Sequence, residues 1–199
     1  GTVNLTGAAT QNIGGGTTNF YNLTVNKSAN ANTVNNNSNA LTIANTFQIT
    51  RGVFVASATD ANFSVGGNLN INGNGTLTHN VDWDIYGRLM SLGGNVNIDG
   101  KFQYLSRSHV QLTGSGTVNV RTGSNAASAF AILTLKNGNF YASGDLRIDD
   151  NFWSMFGTSG SFHTNGENVY ANGTLLNAGG TVYVDGGSLN VTNGTLIGY

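Results

Sequence analysis

Residues 173–199 read GTLLNAGGTVYVDGGSLNVTNGTLIGY. The apolar residues come in couplets with one residue between them: Val182 and Val184, then Leu189 and Val191. Gly, Asn, Asp and Thr fill the gaps. Alternate side chains of a strand share a face, so each couplet reads as a strand of three to five residues with one apolar side, ending in a turn. No such strand is long enough to bury a core alone. Working outward, the same couplet recurs at Val3/Leu5, Leu23/Val25, Leu41/Ile43, Leu69/Ile71, Val96/Ile98, Val118/Val120, Leu146/Ile148, a weak member at Val169, and Leu189/Val191. The steps are roughly 18 to 28 residues, near the period of a repeat architecture in which each unit buries its apolar side only against its neighbours. The residue inside each couplet is polar and expected to face out: Thr24, Thr42, Asn70, Asn97, Asn119, Arg147 and Asn190. Glycines precede several couplets at one offset (Gly67, Gly94, Gly116, Gly144, Gly187), as a repeated corner requires. The expected fold is all-β: a single-stranded, right-handed parallel β-helix of about nine coils of roughly 23 residues, one domain over 1–199. At about 4.8 Å per coil the rod is roughly 40 Å long.

Composition supports this reading. The chain has 29 Gly and 31 Asn in 199 residues, both types that tolerate the backbone of tight corners. Charged residues are only 9% while apolar ones are 39%, the reverse of a disordered chain. Proline, which cannot donate to a strand ladder, is absent. Cysteine is absent too, which excludes disulfides and thiolate metal sites. The net charge of −1 argues against nucleic acid, which needs a basic face. No apolar run approaches the length that inserts into a membrane. Asparagines at equivalent corners are expected to form ladders of side-chain amides. The run 30–39, NANTVNNNSN, is expected to be a corner plus loop.

The opening, GTVNLTGAATQNIGGGTTNFYNLTVNKS, resembles a repeat of secreted bacterial surface proteins in which a GTV strand, a Q-x-I-GGG turn and an F-x-NLT strand follow one another. The matching positions are Gly1–Val3, Gln11, Ile13–Gly16 and Phe20–Val25. The later coils are similar in style to filamentous adhesins and autotransporter passenger segments. The resemblance implies a parallel β-helix, an extracellular or cell-surface location and a structural or adhesive role.

Charges and aromatics gather in the middle of the chain. Asp82, Trp83, Asp84, Tyr86 and Arg88, with Trp153, form a candidate ligand or contact patch. Asp82 and Asp84 share one side of a strand, and Asp149 and Asp150 are adjacent, with Arg147 near. Clustered acids beside a basic residue are what polysaccharide-cleaving sites use, whereas a solvated turn or weak surface ion pair is the plainer reading. Calcium would use the same oxygens, but the nonapeptide repeat of a calcium roll is missing around Asp185. His79, His109 and His163 are isolated and are expected at the surface or in corners. Gly14–Gly16 and Gly73–Gly75 lack the following helix of a phosphate loop. Sequons at Asn4, Asn22, Asn26, Asn36, Asn62, Asn74, Asn172, Asn190 and Asn193 are candidate glycosylation sites.

No catalytic constellation, cofactor site or metal site emerges. The expected function is a non-catalytic structural β-solenoid subunit or segment of an extracellular filament or cell-surface adhesin. It would associate end to end through uncapped ends, with surface glycans as further partners. The alternative is a carbohydrate-binding or polysaccharide-cleaving β-helix; ice binding is disfavoured, because Thr76/Thr78 is a lone Thr-x-Thr pair.

Overall fold

The computed structural model describes residues 1–199 except 39, 57–61, 80–88, 105–107, 121–128, 151–152, 158, 178 and 199; for 153–157, 176–177 and 198 it describes the backbone only. Every described element is a strand, and every named pairing is parallel. The chain is a β-solenoid with three faces. The first face stacks Thr2–Gly7, Asn22–Lys27, Phe47–Ala56, Leu69–His79, Val96–Ile98, Gly116–Val120, Asn139–Ala142, Ser161–His163 and Thr181–Tyr183 in sequence order. The second face is a nine-stranded sheet running from Thr17–Phe20 to Leu196–Gly198. The third face begins with Gln11–Ile13 and Thr33–Asn36, continues through the second halves of the two long strands and Lys101–Tyr104, and ends in Leu146–Ile148, Asn168–Ala171 and Ser188–Val191.

Register follows the couplets. Val3 pairs with Leu23 and Leu5 with Val25; Leu23 pairs with Phe47, Phe47 with Leu69, and Leu69 with Val96. These side chains point inward into one continuous hydrophobic core. Leu23, Phe47, Leu69, Val96 and Val118 are fully buried, each a gain of about 1.5–3 kcal/mol over exposure. The polar residues between them are half-buried or exposed.

The couplets do not all lie on one face. Leu41 and Ile43 belong to the second face, between Thr18/Phe20 and Phe63/Val65. Leu146, Val169 and Leu189 stack on the third. The first-face rungs that complete the ladder are built on Phe47/Ile49, Phe140/Ala142, Phe162 and Val182. The Asn-rich run is also more ordered than a corner and loop: Thr33–Asn36 is a strand paired on both edges, with Val34 buried.

Two devices shape the corners. Between the second and first faces, backbone rests on backbone. A Cβ on Gly66 would stand 2.6 Å from the Ala44 carbonyl oxygen. One on Gly93 would strike the Gly66 carbonyl, one on Gly114 that of Gly93, one on Gly138 that of Gly114, and one on Gly160 that of Gly138. This column admits no side chain. Beside it, asparagine side chains tie coil to coil. Asn22 Oδ1 accepts from Asn45 Nδ2 at 2.9 Å and from the Thr46 amide at 3.0 Å. Asn68 Oδ1 accepts from the Asn95 amide at 3.0 Å, and Asn95 Oδ1 from the Thr117 amide at 2.9 Å. The expected amide ladder is present between coils as Asn35 to Asn12, Asn45 to Asn22 and Asn193 to Asn172, and at this corner the side-chain carbonyls also satisfy backbone donors of the next coil.

The second device is Lys27. Its stem is buried under Gly52, whose φ of +102° and lack of a Cβ leave room for the chain, since a Cβ there would lie 2.5 Å from Lys27 Cγ. Its ammonium donates to the Thr6 carbonyl at 3.1 Å, the Ala9 carbonyl at 2.7 Å and Gln11 Oε1 at 2.8 Å. Three donors meet three oxygens of the preceding coil, so the cation is satisfied without a carboxylate.

Candidate functional site

Among the described residues, two groups of side chains able to bind or do chemistry sit at the C-terminal end of the solenoid, on two of its faces. On the first face, register places Tyr141, His163 and Tyr183 in one outward column. Tyr141 and His163 stack with centroids 4.5 Å apart and planes 19° from parallel; His163 and Tyr183 stack at 4.4 Å and 14°. The spacing is that of adjacent strands, so the rings lie flat on one another and present their edges to solvent. His163 Nδ1 lies 2.8 Å from Asp185 Oδ2, and its Nε2 lies 3.2 Å from Ser161 Oγ. The Asn165 amide, then His163, with further help from its own amide and the Thr164 hydroxyl, hold the Asp185 carboxyl down at about 2. Ser161, His163 and Asp185 thus stand in the order of a nucleophile relay. Ser161 Oγ also lies 2.8 Å from Asn139 Oδ1, so its single hydrogen is shared between that oxygen and the imidazole. The arrangement braces three coils.

On the third face, Asp145, Arg147, Ile148, Asp149, Tyr170, Ala171, Asn172 and Thr192 line an open groove of about 470 Å³. Arg147 Nε is 2.6 Å from Asp149 Oδ1, and the guanidinium is held further above its usual pKa by that contact. Asp149 Oδ2 accepts the Tyr104 hydroxyl at 3.3 Å across 45 residues of chain. Burial first, and then the Asp149 carboxylate, raise the Tyr104 pKa above its ordinary value. Asp145 Oδ1 accepts the Asn168 amide at 2.9 Å. The strands Leu146–Ile148, Asn168–Ala171 and Ser188–Val191 lay these groups on three consecutive rungs.

Of the patch expected from the sequence, Asp82, Trp83, Asp84, Tyr86 and Arg88 lie outside the described residues, and so does the side chain of Trp153, whose backbone pairs on the second face. The acids near Arg147 do meet it through Asp149. The oxygens of Asp185, weighed above for calcium, are engaged by His163, Thr164 and Asn165.

Two of the three histidines are not at the surface. His79 and His109 are 1% and 7% exposed. His79 ends an inward column after Ala56, and its carbonyl accepts the Ser108 hydroxyl at 2.7 Å. His109 Nε2 meets the Thr134 hydroxyl. Burial lowers both imidazoles to a pKa of about 4, the neighbouring His109 adding to the effect on His79.

Among the sequons, Asn4, Asn26, Asn62, Asn74, Asn190 and Asn193 are exposed, while Asn22 and Asn172 are half-buried. Asn36 is fully buried, its Oδ1 accepting from the Ser38 hydroxyl, so the fold has no room for a glycan there. What sequence reading missed carries a signal at the coil period: Tyr141, His163 and Tyr183 are 22 and 20 residues apart.

Compared with protein-family models, curated proteins and solved structures, the chain matches none.

Proposed function

We propose that this chain is a non-catalytic structural β-solenoid subunit or segment of an extracellular filament or cell-surface adhesin, extended by pairing at its end rungs. One observation carries the reading: the strands at both extremes of the ladders are paired along a single edge among the described residues. Their inward residues are incompletely covered. Val3 is 40% exposed, Leu5, Val182, Leu189 and Val191 are half-buried, and Leu196 is 60% exposed. Such an edge accepts a further coil, whether of the same polypeptide or of another copy, and the coil that covers it gains both ladder and core. The contact is head to tail and does not close, so it yields a rod. The extracellular location rests on the resemblance of residues 1–25. The exposed sequon asparagines suit a glycosylated surface, which intact mass measurement of native material would reveal.

The test is assembly of the purified chain, followed by light scattering and negative-stain electron microscopy. Filaments or end-to-end oligomers are expected, and Val3→Lys together with Val182→Lys should abolish them by placing charges at both uncovered core ends. A monodisperse monomer at high concentration, or filaments indifferent to both substitutions, overturns the proposal.

A further inference from the structure

We infer that the third-face groove bordered by Arg147, Asp149 and Tyr170 is a binding site for a neutral oligosaccharide lying along the rod axis. The groove is lateral, so it operates whether or not the ends of the rod pair.

Its walls combine two surfaces. The exposed apolar surface is the Tyr170 ring, 42% exposed and beside Arg147 on the adjacent rung, while Ile148 and Ala171 back the groove from the core. An aromatic ring with a wet rim suits the C–H side of a sugar. Around it are a guanidinium, two carboxylates, the Asn172 amide and the Thr192 hydroxyl. Hydroxyl groups both donate and accept, so a polyhydroxylated ligand can use such a mixed set throughout. A few fixed polar groups beside an aromatic surface are a usual composition of a ligand cleft.

The polar groups are also held in place. Asp149 fixes Arg147 at 2.6 Å and is itself fixed by the Tyr104 hydroxyl; Asp145 is fixed by the Asn168 amide. Asn172 donates to the Asp149 carbonyl at 3.2 Å and accepts from Asn193 at 2.6 Å. Preorganisation of this kind lowers the ordering cost of binding.

Charge and shape narrow the ligand. Asp145 and Asp149 outnumber Arg147, whose charge is already met by Asp149, so an acidic polymer is repelled. Both carboxylates already accept protein donors, which disfavours a bare divalent cation that needs six or more oxygens. The lining groups fall on three successive rungs about 4.8 Å apart, which calls for an extended chain ligand instead of a compact one.

The experiment is titration of the chain with cellotetraose, mannotetraose, chitotetraose and tetragalacturonate, read by calorimetry and amide chemical shifts. At least one neutral tetramer should saturate, moving the amides of residues 145–149, 168–172 and 190–192. Tyr170→Ala and Arg147→Gln, both at outward positions, should each weaken it about fivefold to tenfold, with circular dichroism confirming that the fold is kept. Tyr21→Ala, on an exposed residue of the first coil, should leave binding unchanged. No saturation by any neutral tetramer, binding that survives both groove substitutions, or preference for tetragalacturonate overturns the inference.

Discussion

Lowering the pH should loosen this solenoid from the inside, and the two buried histidines set the window. His79 and His109 have pKa values of about 4 in the folded chain, against 6.5 for a free imidazole, because the protein interior excludes water from the charged form. A depressed folded pKa means that the unfolded chain takes up the proton first as pH falls. Stability is therefore complete above about pH 6.5, is lost progressively down to about pH 4, and levels off below. A fall from 6.5 to about 4, at ~1.4 kcal/mol per pH unit, is about 3 kcal/mol for each ring. The pair together reaches roughly half of the 5–15 kcal/mol that holds an ordinary domain folded. Urea melts at pH 7.5, 6.0, 5.0 and 4.2, followed by near-ultraviolet circular dichroism, read this directly: the midpoint should be flat from 7.5 to 6.5 and then drop steeply. His79→Leu places an apolar group in an inward column and should remove about half of the slope. A midpoint unchanged between pH 7 and 4.5, or a slope undiminished in both His79→Leu and His109→Gln, refutes the reasoning. The exposed Asp185, held at about 2, adds a second loss only as pH falls from 3.8 toward 2.

Lys27→Ala deprives three oxygens of the first coil of their donor and opens a void under Gly52; a loss of about 2–4 kcal/mol is expected. Hydrogen exchange should show it first in residues 2–13, while the last coils stay protected; uniform loss of protection would mean that the lysine does not act as a local clamp. Gly114→Ala puts a methyl group into the Gly93 backbone and should lower the melting temperature by many degrees, or prevent folding, whereas Gly73→Ala meets nothing within 4 Å and should change it little. Equal tolerance at both positions would show that coils do not rest on one another through the glycine column.

Strands and polar outward positions were legible because alternation dictates them, and parallel pairing because the couplets recur once per coil: Leu69-Asn70-Ile71 can bury two residues and wet one in a single way. Which face a couplet occupies was not legible, because Leu41/Ile43 and Leu23/Val25 look alike and differ only in where the chain has turned. Phe47/Ile49 is itself a couplet that the count passed over, and Phe162 stands as a lone apolar residue flanked by Ser161 and His163. The buried histidines contradict a reading by polarity, since the interior meets His109 with a Thr134 hydroxyl 25 residues away. The groove depends on contacts such as Tyr104 with Asp149 that no local pattern contains, although Arg147 and Asp149 are two apart and share a side. The aromatic column was visible in principle, at one residue per coil period.

The glycine column also governs how such a chain could lengthen. From Ile43 to Phe47, Val65 to Leu69 and Leu92 to Val96 the count is four residues each time, and from Leu112 to Val118, which pair with Leu92 and Val96, it rises only to six. On the opposite side, between the third and second faces, the count runs from three residues (Ala171 to Thr174) to eleven (His79 to Met90). The molecule therefore has one closed seam and one elastic seam. Added sequence, whether an inherited decoration or an engineered tag, belongs at the elastic side, where the chain already takes connections of unequal length without changing the ladder on either face.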